Sequence, residues 1–150
     1  MRFSIGADTN VLFSGLYYGA AASSLIEAVR FNKIDLYQSE YLRDELFEVS
    51  VRNRMPLETA MLFYNLANVH VVTDDSYYSK EEFDEAKPLI RDEKDIPVYV
   101  FAKKLLSVGK IDYFVSGDKD LLQAKVRKSL QGKIVSLAEF NELLQTKGNE

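Results

Sequence analysis

Short runs of β-forming residues alternate with longer amphipathic runs along the whole sequence. We predict the β-rich runs as five strands, at residues 2–7, 34–38, 69–73, 112–117 and 133–137. We predict the amphipathic runs as helices, at residues 21–32, 40–53, 56–68, 95–109, 120–128 and 137–145, with a shorter one around 80–87. Strands that alternate with helices form parallel βαβ units, whose sheet is covered on both faces. The alternation therefore predicts an α/β fold with a central, mostly parallel five-stranded sheet.

The chain is long enough for one domain with a substantial core. It has 150 residues, of which 47% are hydrophobic and 28% charged, a balance typical of a folded globular protein. We expect a single α/β/α domain over residues 1–145 and a disordered tail over residues 146–150. The sequence contains no cysteine, which excludes disulfides, thiolate zinc sites and cysteine nucleophiles.

The sequence shows neither a membrane span nor a secretion signal. No apolar stretch approaches the ~20 residues that are needed to cross a bilayer. The first predicted strand starts at residue 2 or 3, which leaves no room for a cleavable signal peptide, so we expect a cytoplasmic protein. The formal net charge of −4 argues against tight binding to duplex DNA. It does not exclude a nucleic acid that is held by a few local cations.

Carboxylates follow two of the predicted strands and open one of the helices. Asp8 ends the first strand, Asp118 and Asp120 follow the fourth, and Asp95 starts the helix at 95–109. In open parallel sheets, ligands bind beyond the carboxyl ends of the strands, at a topological switch point. We therefore expect these acids to meet at one edge of the sheet.

Helix capping is the alternative explanation for each of these aspartates. Asp95 is placed to be the N-cap of its helix, with Pro97 just inside the first turn. Asp118 and Asp120 are placed to cap a helix that begins near Lys119. Capping and metal binding can coexist when different oxygens serve each role, so both interpretations stay open.

Glu45 lies at the margin of an apolar helix face. Leu42, Leu46 and Val49 form the apolar stripe of the helix at 40–53, and Glu45 falls on its flank. Asp44 and Glu48 are predicted to point toward solvent. A carboxylate at the edge of a buried face is unfavourable unless something compensates its charge, so Glu45 either reaches out to solvent or faces the same site as Asp8.

Convergence of Asp8, Glu45, Asp95 and Asp118 would require a cation. Four neighbouring anions repel, and at least one would keep its proton unless a divalent ion were bound. Oxygen ligands without His or Cys suit Mg²⁺ or Mn²⁺, which can activate a water toward a phosphodiester. Three small polar side chains are placed to hold water or phosphate beside such a site: Thr9, Asn10 and Ser116.

Four segments resemble, in this order, the motifs of PIN domains, most closely the toxin components of prokaryotic toxin–antitoxin pairs. They are "ADTNVLFSGL", "LRDELFEV", "RDEKDIPVYVFA" and "IDYFVSGDKDLL". Residue by residue, Asp8, Glu45, Asp95 and Asp118 match the four acidic positions of the family, and Asp120 matches an auxiliary one. The resemblance implies a parallel sheet flanked by helices and Mg²⁺- or Mn²⁺-dependent cleavage of single-stranded RNA, with an antitoxin protein as partner.

Two other functions compete with this hypothesis. A non-catalytic PIN-like module that binds RNA or protein would use the acids only as helix caps. A phosphoryl-transfer protein would use Asp8 as nucleophile, but the Asp-x-Asp pattern expected of such phosphatases is broken by Asn10. We rank the ribonuclease first and phosphoryl transfer last.

Some aromatic and basic residues are candidates for contacts with partners. Tyr77 and Tyr78 would stack on unpaired bases or pack on the domain. Aromatic residues of three predicted helices would form an apolar patch for a partner or for a second copy of the chain in a homodimer: Phe31, Tyr41, Phe47, Phe63 and Tyr64. Four cations would guide a phosphate backbone or simply be solvated: Arg52, Arg54, Lys87 and Arg91. The single histidine, His70, is predicted to be structural.

Overall fold

A computed structural model describes residues 2–73 and 79–148. Its strands are β1 (Ser4–Ala7), β2 (Asp35–Ser39), β3 (Val69–Val72), β4 (Tyr113–Ser116) and β5 (Ile134–Ser136). Its helices are α1 (Thr9–Tyr17), α2 (Ser23–Arg30), α3 (Glu40–Arg52), α4 (Leu57–Tyr64), α5 (Lys80–Ala86), α6 (Ile96–Ser107), α7 (Ala124–Ser129) and α8 (Leu137–Gly148). Short 3₁₀ turns cover Ala20–Ala22 and Glu93–Asp95. The predicted stacking residues Tyr77 and Tyr78 lie outside the described residues.

The strands form one sheet in the order β3-β2-β1-β4-β5, and all four pairings are parallel. In the central pair, Ile5 of β1 lies opposite Tyr113 of β4, and Ala7 lies opposite Val115. This architecture confirms the predicted single α/β domain with a central five-stranded sheet between helices. Since the chain winds outward from β1 in both directions, the switch point of the sheet lies between β1 and β4.

Each face of the sheet is covered by its own apolar cluster. Leu12, Leu25 and Phe140 pack on one side, from α1, α2 and α8. Tyr99 and Leu105 of α6 pack with Phe114 on the other. Within the described part of the chain, no helix is long and apolar enough to cross a membrane.

Helix α1 was not predicted from the sequence, and Gly15 explains why. A glycine inside a helix weakens it by about 1 kcal/mol relative to alanine, so the run after Asp8 lacked a clear helical signal. In the structure α1 and α2 pack so closely that a Cβ at Gly15 would lie 2.4 Å from Cγ1 of Ile26 and 2.8 Å from the Ala22 carbonyl oxygen. The glycine is therefore a packing requirement of this helix pair.

Two other predicted boundaries differ from the structure. Helix α7 begins at Ala124 and not at residue 120, because the backbone N–H groups of Asp120 and Leu122 bond to Asp118 and form turns first. Helix α8 continues to Gly148, three residues past its predicted end at residue 145. The predicted capping box at its start is present: the Ser136 N–H donates to Glu139 (3.0 Å) and the Glu139 N–H donates to Ser136 Oγ (3.2 Å).

The predicted aromatic patch is divided between core and surface. Phe63 is buried in the core, so it does not belong to a surface patch. Phe47 and Tyr64 are half-buried and pack edge to face, with ring centroids 5.5 Å apart. Phe31 is exposed at the end of α2. His70 contacts Asp35 at 3.3 Å and stacks on Tyr37, an arrangement consistent with a structural role.

Candidate metal centre

The site lies at the switch point, where β1 and β4 end side by side. The Asp8 N–H donates to the Val115 carbonyl oxygen (3.1 Å), which extends the parallel ladder to the last residue before α1. The chain leaves β4 through Ser116, Gly117 and Asp118 at the same edge. The parallel pairing of these two strands thus brings residues 8 and 118 together from opposite ends of the sequence.

Asp8 is buried and forms three hydrogen bonds through its carboxylate. Its Oδ1 accepts from the Val11 N–H (3.1 Å), which caps α1. Its Oδ2 accepts from Ser116 Oγ (2.5 Å) and from the Gly117 N–H (3.1 Å). Burial raises the pKa of Asp8, the three hydrogen bonds oppose that shift, and the charge of Asp118 adds to it. Asp8 therefore caps a helix and faces the acidic site at once.

Ser116 connects the two aspartates. While its hydroxyl donates to Asp8, its Oγ also accepts from the Asp118 N–H (3.0 Å). Asp118 Oδ1 in turn accepts from the Asp120 N–H (2.8 Å). Helix α7 starts later, with Gln123 at the N-cap position, so neither Asp118 nor Asp120 caps it as the alternative explanation required.

Asp95 occupies the N-cap position of α6 and Pro97 lies in the first turn, as predicted. However, the Asp95 side chain accepts no capping hydrogen bond from the backbone N–H groups of α6, all of which the structure describes. Asp92 instead caps the preceding 3₁₀ turn by accepting from the Lys94 N–H (3.0 Å). Partial burial, the charge of Asp118 and a hydrogen bond with it raise the pKa of Asp95 to about 7. The Asp95 carboxylate is thus directed toward other acids and not toward its own helix.

Among the described residues, three carboxylates are close enough to share one ion. Asp95, Asp118 and Asp120 each offer an oxygen, and these atoms lie within 4.8 Å of one another. An all-oxygen donor set fits a hard cation such as Mg²⁺ or Mn²⁺. Burial and the neighbouring charge of Asp118 both raise the pKa of Asp95, and a bound cation would oppose both effects. We call these three residues the aspartate triad.

Glu45 and Asp8 lie outside the aspartate triad, and Asp8 is linked to it through Ser116. Ser39 accepts from the Leu42 N–H (3.1 Å) and caps α3, which carries Glu45. The Thr9 hydroxyl donates a short hydrogen bond to Glu45 Oε1. Glu45 is half-buried, whereas its neighbours Asp44 and Glu48 are exposed as predicted. Asp8 is thus linked to the triad, whereas Glu45 contacts Thr9, the residue that follows Asp8 in the chain.

Of the three predicted water- or phosphate-holding residues, two contact acids directly. Thr9 is buried and donates to Glu45, and Ser116 is buried between Asp8 and Asp118. Asn10 is exposed at the start of α1. Their contact with water or phosphate stays a prediction.

Two residues near the site were not identified from the sequence. Gln38 is buried at the end of β2, where its Nε2 donates to the Ala7 carbonyl (2.8 Å) and its Oε1 accepts from Tyr64 (3.0 Å). This fixes the backbone just before Asp8. Gln123 Nε2 donates to Asp120 Oδ1 (3.1 Å). An amide within an apolar strand was a usable signal for Gln38, whereas the sequence offered no comparable signal for Gln123.

No protein-family model matches this sequence, and no curated protein matches it significantly. The similarity to PIN domains therefore rests on the sequence motifs and on the parallel sheet in the order β3-β2-β1-β4-β5. What the site does has to be inferred from its geometry.

Proposed function

We propose that this protein is a metal-dependent endoribonuclease that cleaves single-stranded RNA. The observation that carries the proposal is the aspartate triad, whose oxygens lie within 4.8 Å of one another at the switch point of a parallel sheet. Asp95 and Asp118 act as the main ligands of Mg²⁺ or Mn²⁺, and Asp120 assists. Asp8 and Glu45 complete the acidic surface on which the phosphodiester is attacked.

The chemistry divides between the ion and the side chains. A bound divalent cation would supply an activated water and offset the charge of the reacting phosphate. Burial and the nearby charge of Asp118 make the ionised form of Asp95 unfavourable without a cation, as its raised pKa indicates. Ser116 fixes Asp8 against the Asp118 backbone, and Thr9 orients Glu45. Preorganised acids of this kind let the site bind an ion without rearrangement.

A non-catalytic PIN-like module that binds RNA or protein is the second candidate. One observation favours it: the Asp8 carboxylate already has three hydrogen-bond donors, including the capping N–H of Val11. If capping were its only role, Asp8→Asn would leave function intact. The absence of side-chain capping by Asp95 within α6 argues the other way.

An RNA cleavage assay with and without Mn²⁺ separates the two candidates. Wild type should cleave a single-stranded RNA in Mn²⁺ and not in EDTA, and Asp8→Asn and Asp95→Asn should lose activity by about 10²-fold or more. The exposed Asp44 of α3 provides a matched control, and Asp44→Asn should retain wild-type activity. Equal cleavage by wild type and Asp95→Asn would refute the ribonuclease proposal.

We further propose that the protein is a cytoplasmic toxin held by an antitoxin, and that it forms a homodimer. The resemblance to PIN toxins supports the first part. Three exposed apolar residues support a protein partner on α3 and α4: Val51, Met61 and Leu62. Two observations would test this: a small DNA-binding protein encoded beside the gene, and the mass of the purified protein in solution. A monomer that co-purifies with no product of the adjacent gene would contradict both parts.

A further inference from the structure

We propose that Arg91 binds a phosphate of the RNA beside the aspartate triad. This inference rests on the ribonuclease proposed above and identifies how an acidic protein holds its substrate. Arg91 lies between α5 and the 3₁₀ turn that leads into Asp95. The sequence named it as one of four cations that would guide a phosphate backbone or simply be solvated, and did not distinguish it from the other three.

Arg91 is joined directly to the triad. Its Nη2 lies 3.2 Å from Oδ2 of Asp120, and the two side chains are 84% and 24% exposed, respectively. The other oxygen of Asp120 accepts from Gln123 Nε2 (3.1 Å). The guanidinium thus lies at the rim of the site, in contact with both the triad and solvent.

The ion pair with Asp120 is suited to exchange for a phosphate. An exposed ion pair stabilises a fold only slightly, so breaking it costs the protein little. Guanidinium has five N–H donors in a planar fork that matches two phosphate oxygens. Among the described residues, Arg91 contacts Asp120 through a single nitrogen, Nη2. A phosphate could therefore engage the remaining donors or displace Asp120 altogether.

Electrostatics also favour this role for Arg91. The chain carries a formal net charge of −4, and its candidate site is lined by carboxylates that repel RNA. Besides the bound ion, a cation at the rim of the site would lower the repulsion between these carboxylates and a phosphate. Lys87, another cation of this segment, pairs with an acid outside the triad, since its Nζ lies 3.8 Å from Glu93. Arg91 is the cation of this segment that the structure places in contact with the triad.

The test measures RNA binding under conditions that prevent cleavage. A short fluorescein-labelled single-stranded RNA is titrated in Ca²⁺ at several salt concentrations, and fluorescence anisotropy is recorded. Arg91→Gln should bind about tenfold more weakly and lower the slope of log K against log salt by about 0.7. Arg91→Lys should recover part of the affinity, because it restores the charge but not the planar fork.

Arg2→Gln is the matched control. Arg2 is also an exposed arginine in an ion pair, being 41% exposed with Nε 2.8 Å from Oδ2 of Asp35. It precedes β1, at the edge of the sheet opposite to the aspartate triad, so Arg2→Gln should bind the RNA as wild type does. In steady-state cleavage with Mn²⁺, Arg91→Gln should raise KM about tenfold and change kcat little, and thermal unfolding should show that both variants are folded.

The outcomes separate this inference from the function on which it rests. If wild type binds and cleaves the RNA and Arg91→Gln keeps its affinity and salt slope, the role of Arg91 is refuted and the ribonuclease stands. A loss of kcat at unchanged affinity also refutes it, because Arg91 would then act through Asp120. If wild type neither binds nor cleaves RNA, both proposals fail.

Discussion

Ser116 links the ends of the two strands β1 and β4 at the candidate site. Its hydroxyl donates to the Asp8 carboxylate, 108 residues away in the sequence, and accepts from the Asp118 backbone N–H. Because Asp8 is buried, the loss of one charge-assisted donor leaves its charge poorly compensated. We predict that Ser116→Ala lowers the free energy of unfolding by about 2 kcal/mol, as measured by urea denaturation.

A surface serine provides the control for this variant. Ser24 is exposed on α2, and Ser24→Ala should leave the urea midpoint nearly unchanged. A Ser116→Ala protein as stable as wild type would show that Asp8 does not need the hydroxyl. In that case the buried carboxylate would be compensated by the Val11 and Gly117 N–H groups alone.

The raised pKa of Asp95 predicts how stability changes with pH in EDTA. The folded protein keeps this proton up to about pH 7, whereas in the unfolded chain the group titrates near its ordinary pKa of 3.8. Between these values the native state binds more protons, so the free energy of unfolding falls as pH rises. Asp95→Asn removes this dependence and should be about 1 kcal/mol more stable at pH 8, a figure reduced for solvent screening.

The measurement is urea unfolding at several pH values between about pH 5 and pH 8. Asp44→Asn, at an exposed acid outside the triad, should follow the wild-type curve. If Asp95→Asn also follows that curve, the pKa of Asp95 is not raised in the folded protein.

At the scale of elements, Gly15 determines how closely α1 and α2 approach. An alanine would favour the helix by about 1 kcal/mol, but its Cβ would clash with the Ala22 backbone and Ile26. Since backbone cannot move aside cheaply, we predict that Gly15→Ala lowers the free energy of unfolding by about 1–3 kcal/mol. Ser14→Ala, on the same helix, should instead stabilise by a few tenths of a kcal/mol. A more stable Gly15→Ala protein would mean that the helices can separate at little cost.

Local patterns made some elements predictable and left others hidden. The strands and most helices were predicted because their periodicity is a property of neighbouring residues, and the capping box at Ser136 and Glu139 is equally local. Helix α1 was missed because the reason for Gly15, its close packing against Ala22 and Ile26, lies in a tertiary contact. The start of α7 was predicted too early. The Asp118 carboxylate accepts from the Asp120 N–H and so stabilises a turn before the helix, and the frequency of Asp at helix starts does not distinguish such a turn from a helix cap.

At the scale of the whole molecule, the sheet order decides which acids meet. The alternation of strands and helices predicted that carboxylates would gather at one edge, and the structure brings Asp95, Asp118 and Asp120 together there. The division into a triad and a separate Thr9–Glu45 contact was not predictable, since it depends on where α3 packs against α1. The pairing of Arg91 with Asp120 was not predictable either, since it depends on how the segment before Asp95 packs against the segment after β4.

Cation binding at the aspartate triad should be coupled to folding. An ion that binds only the native state stabilises it by about 2.7 kcal/mol at a concentration one hundred times its Kd. Wild type should therefore unfold at higher urea in Mn²⁺ than in EDTA, whereas Asp95→Asn and Asp118→Asn should show little or no shift. Asp44→Asn removes the same charge from an exposed position outside the triad. It therefore separates the effect of losing a triad carboxylate from the effect of a change in net charge. If all three variants lose the Mn²⁺ shift equally, the ion responds to the overall negative charge, and the aspartate triad is not a metal site.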